Sequence, residues 1–171
     1  MKRIVSILLI LALCLCFPAC SRKTERIQEP VSFYYLRAEL TYGGDDSVIC
    51  PQQAESAGHE KDLVWLLNSY FQMTPAEGLI NPFPSGTKLV SVTIEESTAN
   101  VVVSDAFCLN HDMDLTIACA CITMTVMELA DVETVTVRTI NTTLNGAQQI
   151  VMDKSCLLLI DNSAGETIQE E

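Results

Sequence analysis

Basic side chains are scarce: ten Lys and Arg stand against 22 Asp and Glu in 171 residues, for a formal charge of −12. A surface of that sign repels polyphosphate, which excludes nucleic acid as a partner. Long apolar runs are lacking too. A membrane-spanning helix needs about 20 apolar residues, and the run from Ile4 to Phe17 stops short, at Pro18. No glycine-rich phosphate cradle is present, and no internal repeat. Neither Asp45 with Asp46 nor Asp112 with Asp114 has the glutamate and glycine spacing of a calcium loop.

What is present at the N-terminus is the plan of an export signal: Lys2 and Arg3, then the run Ile4 to Phe17 broken by Ser6. The sequence Phe17-Pro18-Ala19-Cys20 places a small residue before a cysteine and resembles a bacterial lipobox. Cys14 and Cys16 fit less well, because the bulky Leu13 and Leu15 precede them. The expectation is a signal peptide over 1–19, cleavage before Cys20, and lipid on Cys20. Two acyl chains, palmitate among them, hold a protein stably on a bilayer where one does not. The partner implied there is membrane lipid, on the extracytoplasmic face of the cell membrane. Ordinary secretion with cleavage nearby and an uncleaved anchor are the alternatives. Residues 20–30 then form a tether in which Arg22, Lys23 and Arg26 are read as solvated. Loss of Lys2 and Arg3 deepens the charge of the mature chain to −14.

Past the tether, the length fits one domain, 31–161, with its own core. An acidic, disordered tail is read over 162–171. Cys50, Cys108, Cys119, Cys121 and Cys156 remain, an odd number without the spacing of a disulfide framework. Cys119 and Cys121 are two apart in a helical stretch, so they point to different faces and are read as small core residues.

Val31–Leu36 has the aromatic and β-branched content of a strand. The segment 37–58, with its glycines and Pro51, reads as loop with a short extended piece at 47–49. Leu63, Leu66, Leu67 and Tyr70 recur at helical spacing, which predicts a helix over 59–72 with Trp65 and Leu66 buried. Prolines and glycines rule out a regular element over 73–86 and give a stiff, ordered loop. Val90, Val92 and Ile94 alternate with polar residues, as do Ala99, Val101 and Val103, and predict a hairpin turning at 96–98. A second, largely buried helix is predicted over 112–130, with Asp112 or Asp114 suiting its N-terminus. Strands follow at 132–140 and, for SCLLLI, at 155–160. The order predicts an α+β, two-layer β-α-β-β-α-β domain with both helices packed on one face of a small sheet.

No nucleophile with its base, carboxylate pair or metal cluster emerges. Cys108 and His111, three apart, are the nearest approach to a thiolate pair, and read better as a strand-end cysteine beside a loop histidine. Asn141-Thr142-Thr143 matters as a glycosylation site only in a eukaryote. The reading is therefore a non-enzymatic chain with no catalytic, cofactor-binding or metal-binding residues.

Three stretches resemble a known family: Asp62 to Leu67, Gly78 to Val92 (GLINPFPSGTKLVSV) and Ala99 to Phe107 (ANVVVSDAF). Together they are similar to the GerMN domain, whose pattern is a helix with paired leucines, a "GL…P.GT.L.SV" loop entering a hairpin, and a "V.V.LS..F" strand before a second helix. The likeness covers about residues 31–140. It departs from the pattern at 69–75, where a Gly-Pro is usual, and in helix two, which has Thr123-Met124-Thr125-Val126 for an Asn-Thr-Leu run. The resemblance implies a compact domain similar to the ring-building motifs of secretion and sporulation machines, carried by lipoproteins of spore-forming bacteria, and no catalysis. The expected function is a scaffolding or protein-interaction role in the cell envelope, in sporulation or germination, with protein partners or copies of itself. Docking is expected at the sheet edge or at the loop residues Leu79, Ile80 and Phe83, which are unusually apolar for a loop; the alternative for these residues is that they close one end of the core. The alternative is a ligand-binding lipoprotein or an enzyme acting on cell-wall material, which would need a concavity lined by convergent polar groups.

Overall fold

The computed structural model describes residues 30–39 and 47–157. The signal segment, Cys20, most of the tether, Asp45 and Asp46, and the acidic tail lie outside the described residues. Among the described residues seven strands and two helices follow in order: β1 (Pro30–Arg37), β2 (Ile49–Glu55), α1 (Leu63–Gln72), β3 (Leu79–Ile80), β4 (Leu89–Glu95), β5 (Thr98–Val103), α2 (Asp112–Leu129), β6 (Thr134–Thr139) and β7 (Ile150–Asp153). A 3-10 turn, Asp105–Leu109, precedes α2, and another, Lys154–Leu157, follows β7.

The class is α+β, as expected, but the strands divide between two sheets, β2-β1-β3 and β4-β5-β6-β7. All pairings are antiparallel except β5 with β6. A parallel pair needs a long crossover, and α2 supplies it.

β2 stands where a loop was expected. Pro51 hides it in sequence, yet this strand is the edge of its sheet and Pro51 lies opposite Tyr34. Tyr34 turns both backbone groups away from β2. Its N–H donates to Thr125 Oγ1 at 3.0 Å, and its carbonyl accepts from the Tyr70 hydroxyl at 2.5 Å. The N–H that proline lacks is therefore not missed by the ladder. Loop 73–86 likewise contains a two-residue strand, β3, paired with Leu36 and Arg37.

α1 begins four residues later than predicted, because the Asp62 carboxylate accepts the Trp65 N–H at 2.9 Å and caps the helix there. Trp65 is only partly buried and stacks on His59, rings 4.4 Å apart. The fully buried face is Leu66, Leu67 and Tyr70, and each leucine contributes on the order of 2–3 kcal/mol.

The hairpin forms, with a bulge. Leu89 faces Val103 but Ser91 faces Val102, so Val90 is the extra residue and drops out of the predicted alternation. Val92 and Ile94 share the face of Ala99 and Val101, while Val90 and Ile94 remain about half exposed on this edge strand.

The strand predicted over 155–160 is replaced. β7 lies earlier, and the Asp153 carboxylate collects the N–H groups of Ser155 (2.8 Å) and Cys156 (3.2 Å), turning the chain into its 3-10 bend. Residues 158–160 lie outside the described residues.

α2 is almost enclosed, with Leu115, Ala118, Cys119, Cys121, Ile122, Thr123, Thr125 and Val126 all buried. Asp112 and Asp114 sit in its first turn, but neither caps it. His111 holds the cap position without a side-chain bond, and the Asp112 carboxylate accepts from Asn145 instead. β1 runs antiparallel to this helix: Ser32 lies at Glu128, Tyr34 at Thr125 and Leu36 near Ile117.

Candidate functional site

The family-like loop motif has a physical basis. In Pro84-Ser85-Gly86-Thr87 the Thr87 N–H returns to the Pro84 carbonyl at 3.1 Å, and Gly86 takes φ +88°. That is the i+2 position of a type II turn, which favours glycine. Ser104, at the end of β5, ties the turn down. Its hydroxyl donates to the Gly86 carbonyl and accepts the Lys88 N–H, each at 3.1 Å.

Upstream of this turn the three expected loop residues separate in role. Phe83 is buried and meets Tyr70 and Phe71 edge-on at 5.1 and 4.9 Å, closing the core between Tyr70 and Phe107. Asn81 accepts the Phe83 N–H at 2.9 Å and sets that descent. Leu79 is half-buried, whereas Ile80 is 45% exposed.

Around Ile80 lies an open groove of about 360 Å³, walled by Leu36, Pro82, Pro84, Leu109 and Ile117. Asn110 clamps it shut at one side, its amide donating to the Pro82 carbonyl at 3.0 Å. Leu109 is 69% exposed, and Met113, one turn before Ile117 on α2, is 68% exposed. Ile80 and Leu109 were thus brought together by loop and 3-10 turn. Sequence reasoning missed Leu109 and Met113, although an exposed leucine and methionine flanking a helix start were a usable signal.

A second concavity, of about 430 Å³, is polar. It is lined by Arg138, Thr139, Asn141, Thr142, Thr143, Gln148 and Gln149, with Ile140 between them. Asp105 ties down two of these residues, Asn141 and Thr142. Its carboxylate accepts from the Asn141 N–H and side-chain amide, each at 3.0 Å, and from the Thr142 hydroxyl at 3.1 Å. The Asn141 donors hold the Asp105 carboxyl below its ordinary range.

Cys108 finds threonines as its hydrogen-bonding neighbours, Thr142 Oγ1 at 2.8 Å and Thr139 Oγ1 at 3.8 Å. Thr142 gives its proton to Asp105, so Cys108 is placed to donate as a thiol. Cys119 and Cys121 are fully buried, and burial pushes both thiols up to about 12. Among the described residues no three His, Cys, Asp or Glu gather as metal ligands, and no helix is long and apolar enough to cross a membrane.

Residues 32–144 match the Germane family, described as sporulation and spore germination. The fold is similar to the tandem GerMN domains of the sporulation protein GerM from Bacillus subtilis, with 20% identity, a TM-score of 0.50, and coverage of 71% of this chain and 43% of that one. The chain thus spans less than half the length of that tandem structure. The first GerMN domain of the same protein aligns with 16% identity and a TM-score of 0.49, over 73% of this chain and 95% of that one. No curated protein matches the chain.

Proposed function

The chain belongs to the Germane family of sporulation and spore germination, and on that premise we propose a membrane-anchored extracytoplasmic lipoprotein whose domain docks partner proteins of the cell envelope without doing chemistry. The observation that carries the docking role is the groove at Ile80, Leu109 and Ile117, which leaves large apolar side chains in water at one end of the domain. Exposed apolar clusters of this kind mark interaction sites. The β4 edge, with Val90 and Ile94 exposed, is a second surface for a partner strand. The anchor rests on the Lys2–Cys20 sequence.

The test is fractionation and crosslinking of the full chain beside Cys20→Ala in a sporulating host. Membrane association lost in the mutant, with envelope proteins crosslinked to a reporter at Leu109, supports the reading. A soluble wild type, or crosslinks indistinguishable from those of a reporter at Arg138, overturns it.

The polar concavity favours a second reading, a ligand-binding lipoprotein for polyhydroxylated cell-wall fragments, since Asn, Gln and Thr side chains converge there beside one arginine. Calorimetry with muropeptides separates the two. Saturable heat that disappears in Asn141→Ala favours the ligand, and no heat favours docking.

A further inference from the structure

We infer that the groove takes an apolar peptide segment bearing a lysine or arginine, whose cation is met by Asp114. The inference rests on the docking reading above and names the chemistry of the partner. Among the described residues that line the groove, Leu36, Ile80, Pro82, Phe83, Pro84, Leu109 and Ile117 are apolar, Asn81 and Asn110 are neutral, and Asp114 carries the charge.

Asp114 is exposed on the first turn of α2, one turn before Ile117, so its carboxylate stands at the rim directly beside the apolar floor. Arg37 follows Leu36 on β1 and so projects to the opposite face of that sheet. Its Nε is engaged with the Ser47 carbonyl at 3.0 Å. Among the described residues the rim carboxylate thus faces the groove without a lysine or arginine lining it, on a chain whose charge of −12 draws cationic partners from a distance.

The neutral rim has peptide chemistry. Asn81 and Asn110 each present an amide beside the floor, with Asn110 already donating to one backbone carbonyl, that of Pro82. Met113, flexible and largely exposed one turn before Ile117 on α2, can adapt to apolar side chains of different shape. A second copy of this chain is a poor occupant, because it brings the same net negative charge and so is repelled at long range. An anionic lipid surface is repelled for the same reason.

The experiment is selection of random twelve-residue peptides displayed on phage against the full chain without residues 1–19, followed by titration of a selected synthetic peptide. The expected peptides combine Leu, Ile, Phe or Met with Lys or Arg. Replacing that basic residue by Glu should weaken binding about fivefold or more, roughly what an exposed ion pair and its reversal contribute. Asp114→Asn should erase the difference between the two peptides, Asp114→Lys should invert it, and Leu109→Glu should abolish binding of both.

Peptides without basic enrichment, no selected binder, a Lys-to-Glu difference that survives Asp114→Asn, or preferential binding of phosphatidylglycerol vesicles through Leu109 each overturn the inference. The docking reading falls separately, when crosslinks in cells fail to favour Leu109. A partner crosslinked there that carries no basic side chain against Asp114 sinks the inference and leaves that reading standing.

Discussion

The Tyr70 hydroxyl closes onto the carbonyl of Tyr34, 2.5 Å away, from the last turn of α1 to the middle of β1. Beside it, Thr125 of α2 accepts the N–H of the same residue. Two helices thus complete the hydrogen bonding of a strand whose far edge meets a partner strand only at Leu36 and Arg37.

Tyr70→Phe should therefore destabilise the fold by about 1–2 kcal/mol, since it removes the hydrogen-bond partner of a part-buried carbonyl. Thr125→Val should act in the same direction by stranding the Tyr34 N–H. Chemical denaturation of each variant measures this, and a loss below about 0.5 kcal/mol for both would show that the bonds do not bear on stability.

Thr123→Val should do the opposite. Thr123 Oγ1 is buried in α2 without a hydrogen-bond partner. Valine keeps the shape and removes the unpaired hydroxyl, so a gain of about 1 kcal/mol in the same assay is expected.

Thiol reactivity should divide the cysteines. Cys156 is exposed, Cys50 and Cys108 are half-buried, and Cys119 and Cys121 are enclosed with thiols held near 12. Iodoacetamide at pH 8 should label Cys156 fastest and leave Cys119 and Cys121 untouched until denaturant is added. Mass spectrometry of peptides reads the order directly.

Alkali should unfold the protein. Burial raises the phenols of Tyr35 and Tyr70 above the ordinary 10.0. A raised folded value means stability is fully present below pH 10 and declines as pH rises beyond it, when the unfolded chain ionises first. Tyr70→Phe should lessen the slope of stability against pH above 10, followed by denaturation at a series of pH values.

The acid limb has the reverse sign. Asn141 and Thr142 hold Asp105 below its ordinary 3.8, so its contribution is present above that value and is lost as pH falls through the lower, folded one. The stability difference between wild type and Asp105→Asn should shrink over that window.

Much of this fold was legible because packing and local preference agree. β1, α1, β5 and β6 each carry a period that matches the face they bury, and α2 was legible through its apolar side chains at steps of three and four although it is almost enclosed. β2 was not, because only Ile49 and Ala54 of ICPQQAE are buried and the strand exists through its partner. The division into two sheets and the bulge at Val90 were hidden for the same reason, since both depend on pairing rather than on local periodicity. Of the groove, Ile80 was visible as an apolar loop residue, while Phe83 belongs to its floor and to the core alike. Asp114 drew attention as a helix-start carboxylate, and only the fold sets it beside Ile80.

The antiparallel course of β1 along α2 also orients the molecule. Pro30 lies beside Leu129, at the foot of the helix, and Asp114 and Ile117 lie toward its head with Leu36. The 18 residues of α2 span about 27 Å. A protein docked in the groove would therefore sit most of a helix length away from Pro30, toward the opposite end of α2.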